Sequence, residues 1–325
     1  GHEELRRLRV LVMRPSEVAE VLALAPQAEV VVGDLGDPAT LESLFEGCPE
    51  TPVVHAAGVI HPTRFAEFEE VNVEGTRALV AAARAAGAPR LVHISSNSAF
   101  GVNPHSEDVF AHREPFRPYL GYGQSKMRAE LLVREAHRPG VFDTVVVRPP
   151  WFYGPFQPER QSRFFTMIAA GRFPLLGDGS QRRSMVYLDN LVQGVMLGLT
   201  HPAAPGEAFW VADRRPYPMA EIVETVREIL QQEGYAVRSG PLRLPRVVGA
   251  WAERADRLLQ ARERYVAEVH VVGELDKTIA CDISVTERLL GYRPEVELAE
   301  GMRRSVRWCR ERGIDLAPRA VGGKR

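Results

Sequence analysis

The sequence is poor in cysteine and lysine, carries almost no net charge, and has no long apolar run. Cys48, Cys281 and Cys309 are scattered singly. They form neither a disulfide framework nor a metal-ligating spacing, so no metal is expected and a reducing, cytoplasmic setting suits them. No stretch of eighteen uncharged apolar residues exists, which leaves no candidate membrane span. A formal net charge of −1 gives the whole chain no footprint for nucleic acid or an anionic membrane. No signal-peptide pattern and no internal repeat are visible.

Against these absences stands a regular alternation of strand and helix patterns up to about residue 148. Apolar runs at Leu8–Met13, Glu29–Val32, Thr51–His55, Arg90–Ile94 and Thr144–Arg148 are separated by helical segments. That order predicts a parallel sheet covered on both faces. Phe65 to Ala86 reads as one long helix ending at Gly87. After Pro149, proline and glycine become frequent and the elements irregular. Met185–Leu199 and Ala208–Val211 look like a return to the sheet. A helix is expected over Pro218–Gln232. Val247–Arg262 is amphipathic, with contact to lipid or a hydrophobic substrate one reading and a core-facing helix the favoured one. The tail after Leu316 is expected to be disordered.

The chemistry concentrates in Tyr122-Gly-Gln-Ser-Lys126. Residues four apart share a helix face, so the Lys126 ammonium is expected beneath the Tyr122 phenol, where it favours the phenolate of a general base. With only Lys126, Lys277 and Lys324 among forty-one basic residues, the pairing is a moderate signal by itself. It gains weight from the strand Pro89–Ile94, which runs into the turn Ser95-Ser96-Asn97-Ser98-Ala99-Phe100-Gly101. In open α/β sheets the carboxyl end of a strand is where ligands bind. Ser95 reads as a turn former, Ser96 as a candidate site hydroxyl.

At this point the chain resembles the short-chain dehydrogenase/reductase superfamily, in its extended, nucleotide-sugar epimerase-like branch. The resemblance covers nearly the whole sequence. It rests on Asp34-Leu35-Gly36-Asp37, His55-Ala56-Ala57-Gly58, Asn72-Val73-Glu74-Gly75-Thr76, the Ser96 turn and Tyr122 to Lys126. It continues through Arg148-Pro149-Pro150-Trp151-Phe152-Tyr153-Gly154-Pro155, Gly177 to Ser184, and Leu290-Gly291-Tyr292-Arg293-Pro294. It implies an α/β, Rossmann-type doubly wound parallel sheet with a smaller C-terminal substrate lobe. The dinucleotide domain would span 1–148, with 185–213 returning to it, and the lobe 149–184 and 214–316, leaving a tail at 317–325.

Such a fold should open with a strand, a glycine-rich loop and a helix whose N-terminus holds a pyrophosphate. The first four glycines here are Gly1, Gly33, Gly36 and Gly47, and none forms that loop. Leu8–Met13 therefore looks like the second strand, and about 25–30 residues of strand–loop–helix are expected to be missing before it. The competing reading, Leu8–Met13 as the first strand with Asp34 as the ribose-binding acid, fails because Arg14-Pro15-Ser16-Glu17 offers no glycine.

The resemblance implies roles. Tyr122 would be the acid/base on a substrate hydroxyl, Lys126 would assist it and bind the nicotinamide ribose, and Ser96 would hold the same oxygen, with Ser98 a second candidate. Asp34 and Leu35 would sit at the adenine, Ala56, Ala57, Gly58 and Pro149 along the cofactor, and Asn72 would brace the site. Arg14 stands where an acid favours NAD; a cation there would accept a 2′-phosphate, so NAD and NADP both stay open.

Substrate signals divide. Arg183 falls where sugar-nucleotide epimerases place an arginine on the diphosphate. Trp151 occupies a place where those enzymes commonly carry a polar Asn, and suggests stacking on a hydrophobic ring instead. The serine turn lacks the Asp-Glu pair that sugar 4,6-dehydratases carry after their hydroxyl residue, which argues against dehydration. The leading expectation is a nucleotide-sugar epimerase or oxidoreductase. The alternatives are a 3β-hydroxysteroid-type alcohol dehydrogenase acting on a sterol-like alcohol, and a catalytically silent binding protein. A homodimer through the Ala-rich helix and the helix of Tyr122 is expected, with intramolecular packing an equal reading.

Overall fold

The computed structural model describes residues 7–156, 159–238 and 240–317. The first half alternates as the sequence predicts: β1 (Arg9–Val12), α1 (Val18–Leu24), β2 (Glu29–Val32), α2 (Pro38–Phe45), β3 (Val53–His55), α3 (Gly75–Ala85), β4 (Arg90–Ile94), α4 (Leu120–Glu135) and β5 (Asp143–Arg148). Local chemistry explains several boundaries. Asp37 caps α2 by accepting from the Ala39 and Thr40 amides and the Thr40 hydroxyl, and Pro38 occupies the first turn. Gly33 must be glycine because a Cβ there would lie 2.2 Å from Thr40 Oγ1. Gly87, at φ +73°, ends α3.

The second half holds β6 (Trp151–Tyr153), α5 (Glu159–Ala169), β7 (Pro174–Leu176), β8 (Arg182–Arg183), β9 (Met185–Tyr187), α6 (Leu188–Thr200) and β10 (Ala208–Trp210). It continues with β11 (Tyr217–Pro218), α7 (Met219–Gln232), β12 (Leu242–Leu244), α8 (Val247–Gln260), α9 (Ala267–Glu274), α10 (Ser284–Leu290) and α11 (Leu298–Glu311).

The central sheet runs β10-β5-β4-β3, all parallel. Its inner strands β4 and β5 are buried on both faces, with Leu91, Val92, Val145 and Val147 fully enclosed. Helix α6 lies across β4 and β5, where Gly198 leaves room for Val92, Val145 and Val147. A second, two-stranded parallel sheet holds β1 and β2. Leu11 of β1 and Val53 of β3 pack on the same apolar cluster of Leu35, Leu41 and Leu79. The two strands nonetheless share no backbone ladder, and the sheet is parted between them. A separate core built from Phe164, Phe165, Leu175, Leu176, Ile222 and Val226 holds the C-terminal elements together.

The long helix expected over Phe65–Ala86 is continuous from Glu67 to Ala85, with Phe68–Glu74 wound as a π-helix and α-geometry over Gly75–Ala85. Wide turns of this kind recur at functional sites, and Asn72 lies within this one. Helix α8, favoured as core-facing, packs inward through Val248, Gly249, Asp256 and Gln260, and leaves Val247, Trp251 and Leu258 exposed. The expected disordered tail lies, from residue 318 on, outside the described residues.

Candidate active site

The turn after β4 and the start of α4 are pressed together. Ser96 is extended, and its Oγ accepts from the Ser98 amide at 3.2 Å and lies 3.4 Å from Ser98 Oγ. The Ser98 carbonyl accepts from the Tyr119 amide at 2.9 Å. A Cβ on Gly123 would come within 2.3 Å of that same carbonyl, so Gly123 permits the approach. Leu120, the first residue of α4, is left-handed at φ +55°, a costly conformation for a bulky residue. The strained residue sits two positions before Tyr122, which is half-buried with its ring 6.0 Å from that of Phe68.

Lys126 is buried, and its Nζ donates to the Ile94 carbonyl at 2.7 Å, tying α4 to the last residue of β4. Burial pulls its pKa down to about 8, with Glu130 opposing the shift. One turn on, Glu130 has no exposed surface. It accepts from Ser95 Oγ at 2.7 Å and forms a buried ion pair with Arg148, whose Nε lies 3.1 Å from Glu130 Oε1. Arg148 also lies 4.4 Å over the Phe100 ring and donates to the His112 carbonyl. Sequence reasoning missed this pair; the signal was a charged residue closing the apolar run Val145–Val147.

Asn72 joins three segments. Its Oδ1 accepts from the Val59 amide at 2.8 Å, and its Nδ2 donates to the Val59 carbonyl and to Ser125 Oγ, both at 2.9 Å. Ser125 Oγ in turn donates to the Tyr122 carbonyl. Below it, His55 Nε2 meets Thr76 Oγ1 at 2.8 Å, while His55 Nδ1 and both nitrogens of the neighbouring His93 are buried without a hydrogen-bond partner among the described residues. Burial, then the Lys126 charge, holds the His55 pKa down to about 3, and His93 is pushed the same way. Both rings are therefore neutral.

The remaining predicted residues are dispersed. Ala56, Ala57 and Gly58 are exposed just beyond β3. Pro149 is buried, and its carbonyl accepts from Asn97. Asp34 is exposed and accepts from the Gly36 amide, whereas the Leu35 side chain is in the core, leaving its backbone for any contact. Arg14 is paired with Glu17 at 2.8 Å. The Glu17 carboxylate also accepts from the Met13 and Arg14 amides, so the entry to α1 already holds an anion. Trp151 is half-buried and meets Phe164 edge-on at 5.2 Å. Arg183 is buried, donating to the Glu274 carbonyl while its Nε has no hydrogen-bond partner among the described residues. The Tyr119 ring lies tilted 5.6 Å from that of His270, and its buried hydroxyl likewise has no hydrogen-bond partner among the described residues. No group of metal-ligating side chains occurs among the described residues.

The sequence matches the NAD dependent epimerase/dehydratase family over residues 3–212, and the chain belongs to that family. The fold agrees with a dTDP-glucose 4,6-dehydratase of Streptomyces venezuelae, solved as a double mutant with NAD bound. That match has a TM-score of 0.73 at 28% identity, covering 94% of this chain and 88% of the other. The uncharacterized protein y4nL of Sinorhizobium fredii is 44% identical over 94% of this chain and 86% of its own length. A 4-hydroxy-2-methyl-3-oxo-4-farnesyl-3,4-dihydroquinoline-1-oxide ketoreductase of Stigmatella aurantiaca is 29% identical over 91% of this chain and 87% of its own.

Proposed function

We propose that the chain is an NAD-dependent nucleotide-sugar epimerase or oxidoreductase that works on a ring hydroxyl with Ser96, Tyr122 and Lys126. One observation carries the reading: Lys126 is anchored at the end of β4, directly before the serine turn, on the helix that presents Tyr122. Tyr122 takes the hydroxyl proton, Ser96 holds the oxygen, and the Lys126 ammonium supports the phenolate electrostatically. When bound, NAD supplies the hydride acceptor.

Fit to that cofactor is uneven. Lys126 and the exposed backbone of Ala56–Gly58 suit the nicotinamide–ribose end, and Asp34 the adenosine end. No glycine-rich loop stands in the sequence to hold the pyrophosphate, and at the α1 entry, after what reads as the second strand, Glu17 already accepts the Met13 and Arg14 amides. Arg14, neutralised by Glu17, favours NAD over NADP.

A second reading, an alcohol or ketone oxidoreductase on a hydrophobic substrate, is supported by the ketoreductase relative; Trp151, half-buried against Phe164 and the lobe core, serves packing as well as any substrate ring. A silent binding protein is disfavoured by the complete Ser96, Tyr122 and Lys126 set. A homodimer fits the shallow hollow of about 270 Å³ between Phe65, Glu69, Gln124 and Arg128 on the outer faces of the π-helix and α4.

The test is incubation with excess NAD and either UDP- and dTDP-hexoses or a hydroxysteroid. Epimer formation, abolished in Tyr122→Phe, supports the first reading; a steroid-dependent rise in NADH supports the second. Activity unchanged in Tyr122→Phe overturns the site.

A further inference from the structure

Helix α8 is mounted with its polar side inward. Gly249, Asp256 and Gln260 are buried. Asp256 Oδ2 meets His270 Nδ1 at 2.7 Å, and Asp256 Oδ1 accepts from Gln260 Nε2 at 2.9 Å. Gln260 Oε1 accepts from the Gly121 amide at 3.0 Å, and Glu253 pairs with Lys277. A Cβ on Gly249 would come within 2.7 Å of the Asp276 carboxyl, so the helix cannot be rotated without a clash. These contacts fix which face points outward.

The outer face carries large apolar side chains. Val247, Trp251 and Leu258, spaced by four and seven residues, are 47%, 65% and 60% exposed, and Leu242 just before the helix is 48% exposed. The exposed Arg254 lies in the same stripe, three residues after Trp251 and four before Leu258, with Ala250 and Ala255 at its two edges. Arg254 and the exposed Arg243, Arg262 and Arg264 are in no ion pair among the described residues, while Arg246 and Arg257 are paired with Asp178 and Glu253. From residue 242 to 264 the one exposed acid is Glu263. The near-zero charge of the whole chain conceals this local excess.

We infer that α8 is an interfacial helix that docks this protein on an anionic lipid surface. Trp and Leu exposed on one face together with unpaired arginines on and beside it is a composition that lies in a headgroup layer, the guanidinium groups snorkelling to lipid phosphates while the apolar side chains enter the acyl boundary. A second copy is the poorer occupant, because a two-fold contact would bring the same arginines face to face. Branched aliphatic side chains suit acyl chains better than a sugar–phosphate backbone. The inference goes beyond the proposed reaction and does not depend on it.

The experiment is sedimentation of the full chain with phosphatidylcholine vesicles made with and without phosphatidylglycerol, alongside tryptophan emission. Expected are salt-sensitive co-sedimentation with the anionic vesicles alone and a blue shift that Trp251→Phe removes. Trp251→Glu/Leu258→Glu should weaken partitioning at least about tenfold. Arg243→Glu/Arg254→Glu should remove the lipid-charge preference. All four positions are exposed, and unchanged thermal unfolding would show the variants folded. The inference is overturned by absence of co-sedimentation, by equal binding of Trp251→Glu/Leu258→Glu, or by lipid-free dimerisation that this double variant abolishes.

Discussion

Asn72, in the π-helical turn before α3, donates its side-chain amide to Ser125 Oγ on α4 at 2.9 Å, across fifty-three residues of sequence. Its other contacts are both to the backbone of Val59, so one buried amide ties the loop after β3 to the helix of Tyr122 and Lys126.

Replacing Asn72 with Ala leaves the Val59 amide and carbonyl without their partner. Each unsatisfied buried group costs about 1–3 kcal/mol, so Asn72→Ala should lower thermal stability by several degrees. Ser125→Ala, which strands only one donor, should cost less than half as much. Calorimetry of both variants checks the ordering; equal losses would mean that the Val59 contacts carry little.

Lys126 links stability to pH. Its folded pKa, lowered to about 8 by burial, lies below the ordinary 10.5. Below about pH 8 the group is charged in both states and the folded protein bears the whole burial cost. Between pH 8 and 10.5 the folded state binds fewer protons than the unfolded one, so this contribution makes stability rise with pH. Lys126→Met should therefore raise the unfolding temperature at pH 7 while abolishing the proposed chemistry. That gain should shrink as pH approaches 10. Unfolding scans at pH 7 and pH 10 decide it, and a gain independent of pH refutes the burial argument.

Glu17 neutralises Arg14 and caps the amides of Met13 and Arg14. Glu17→Gln should free the guanidinium for a 2′-phosphate and raise affinity for 2′,5′-ADP relative to 5′-AMP about tenfold, the scale of one charge-assisted contact. Calorimetric titration of both nucleotides is the check. No change would place the adenosine end away from Arg14.

Fluorescence titration of the 325-residue chain with NADH should give weak binding, with a Kd of about a millimolar, because no glycine-rich loop stands in this sequence to hold the pyrophosphate. Micromolar binding would show that the pyrophosphate is held by other residues.

Sequence alone determined the elements whose cause is local. The apolar runs of β4 and β5 have no solvent-facing side and could only be central strands, and Asp37 with Pro38 started α2 where it starts. The Tyr122-x-x-x-Lys126 spacing and the turn at Ser96 were likewise readable from residue type and period. Tertiary structure decided the rest, because the partners lie far apart in sequence: Asn72 with Ser125, Glu130 with Arg148 and Ser95, Gln260 with the Gly121 amide. The orientation of α8 belongs to the second group. Its period showed an apolar and a polar face but not which one is buried; Lys277, His270 and Asp276 settled that by pairing with, or crowding, its polar side.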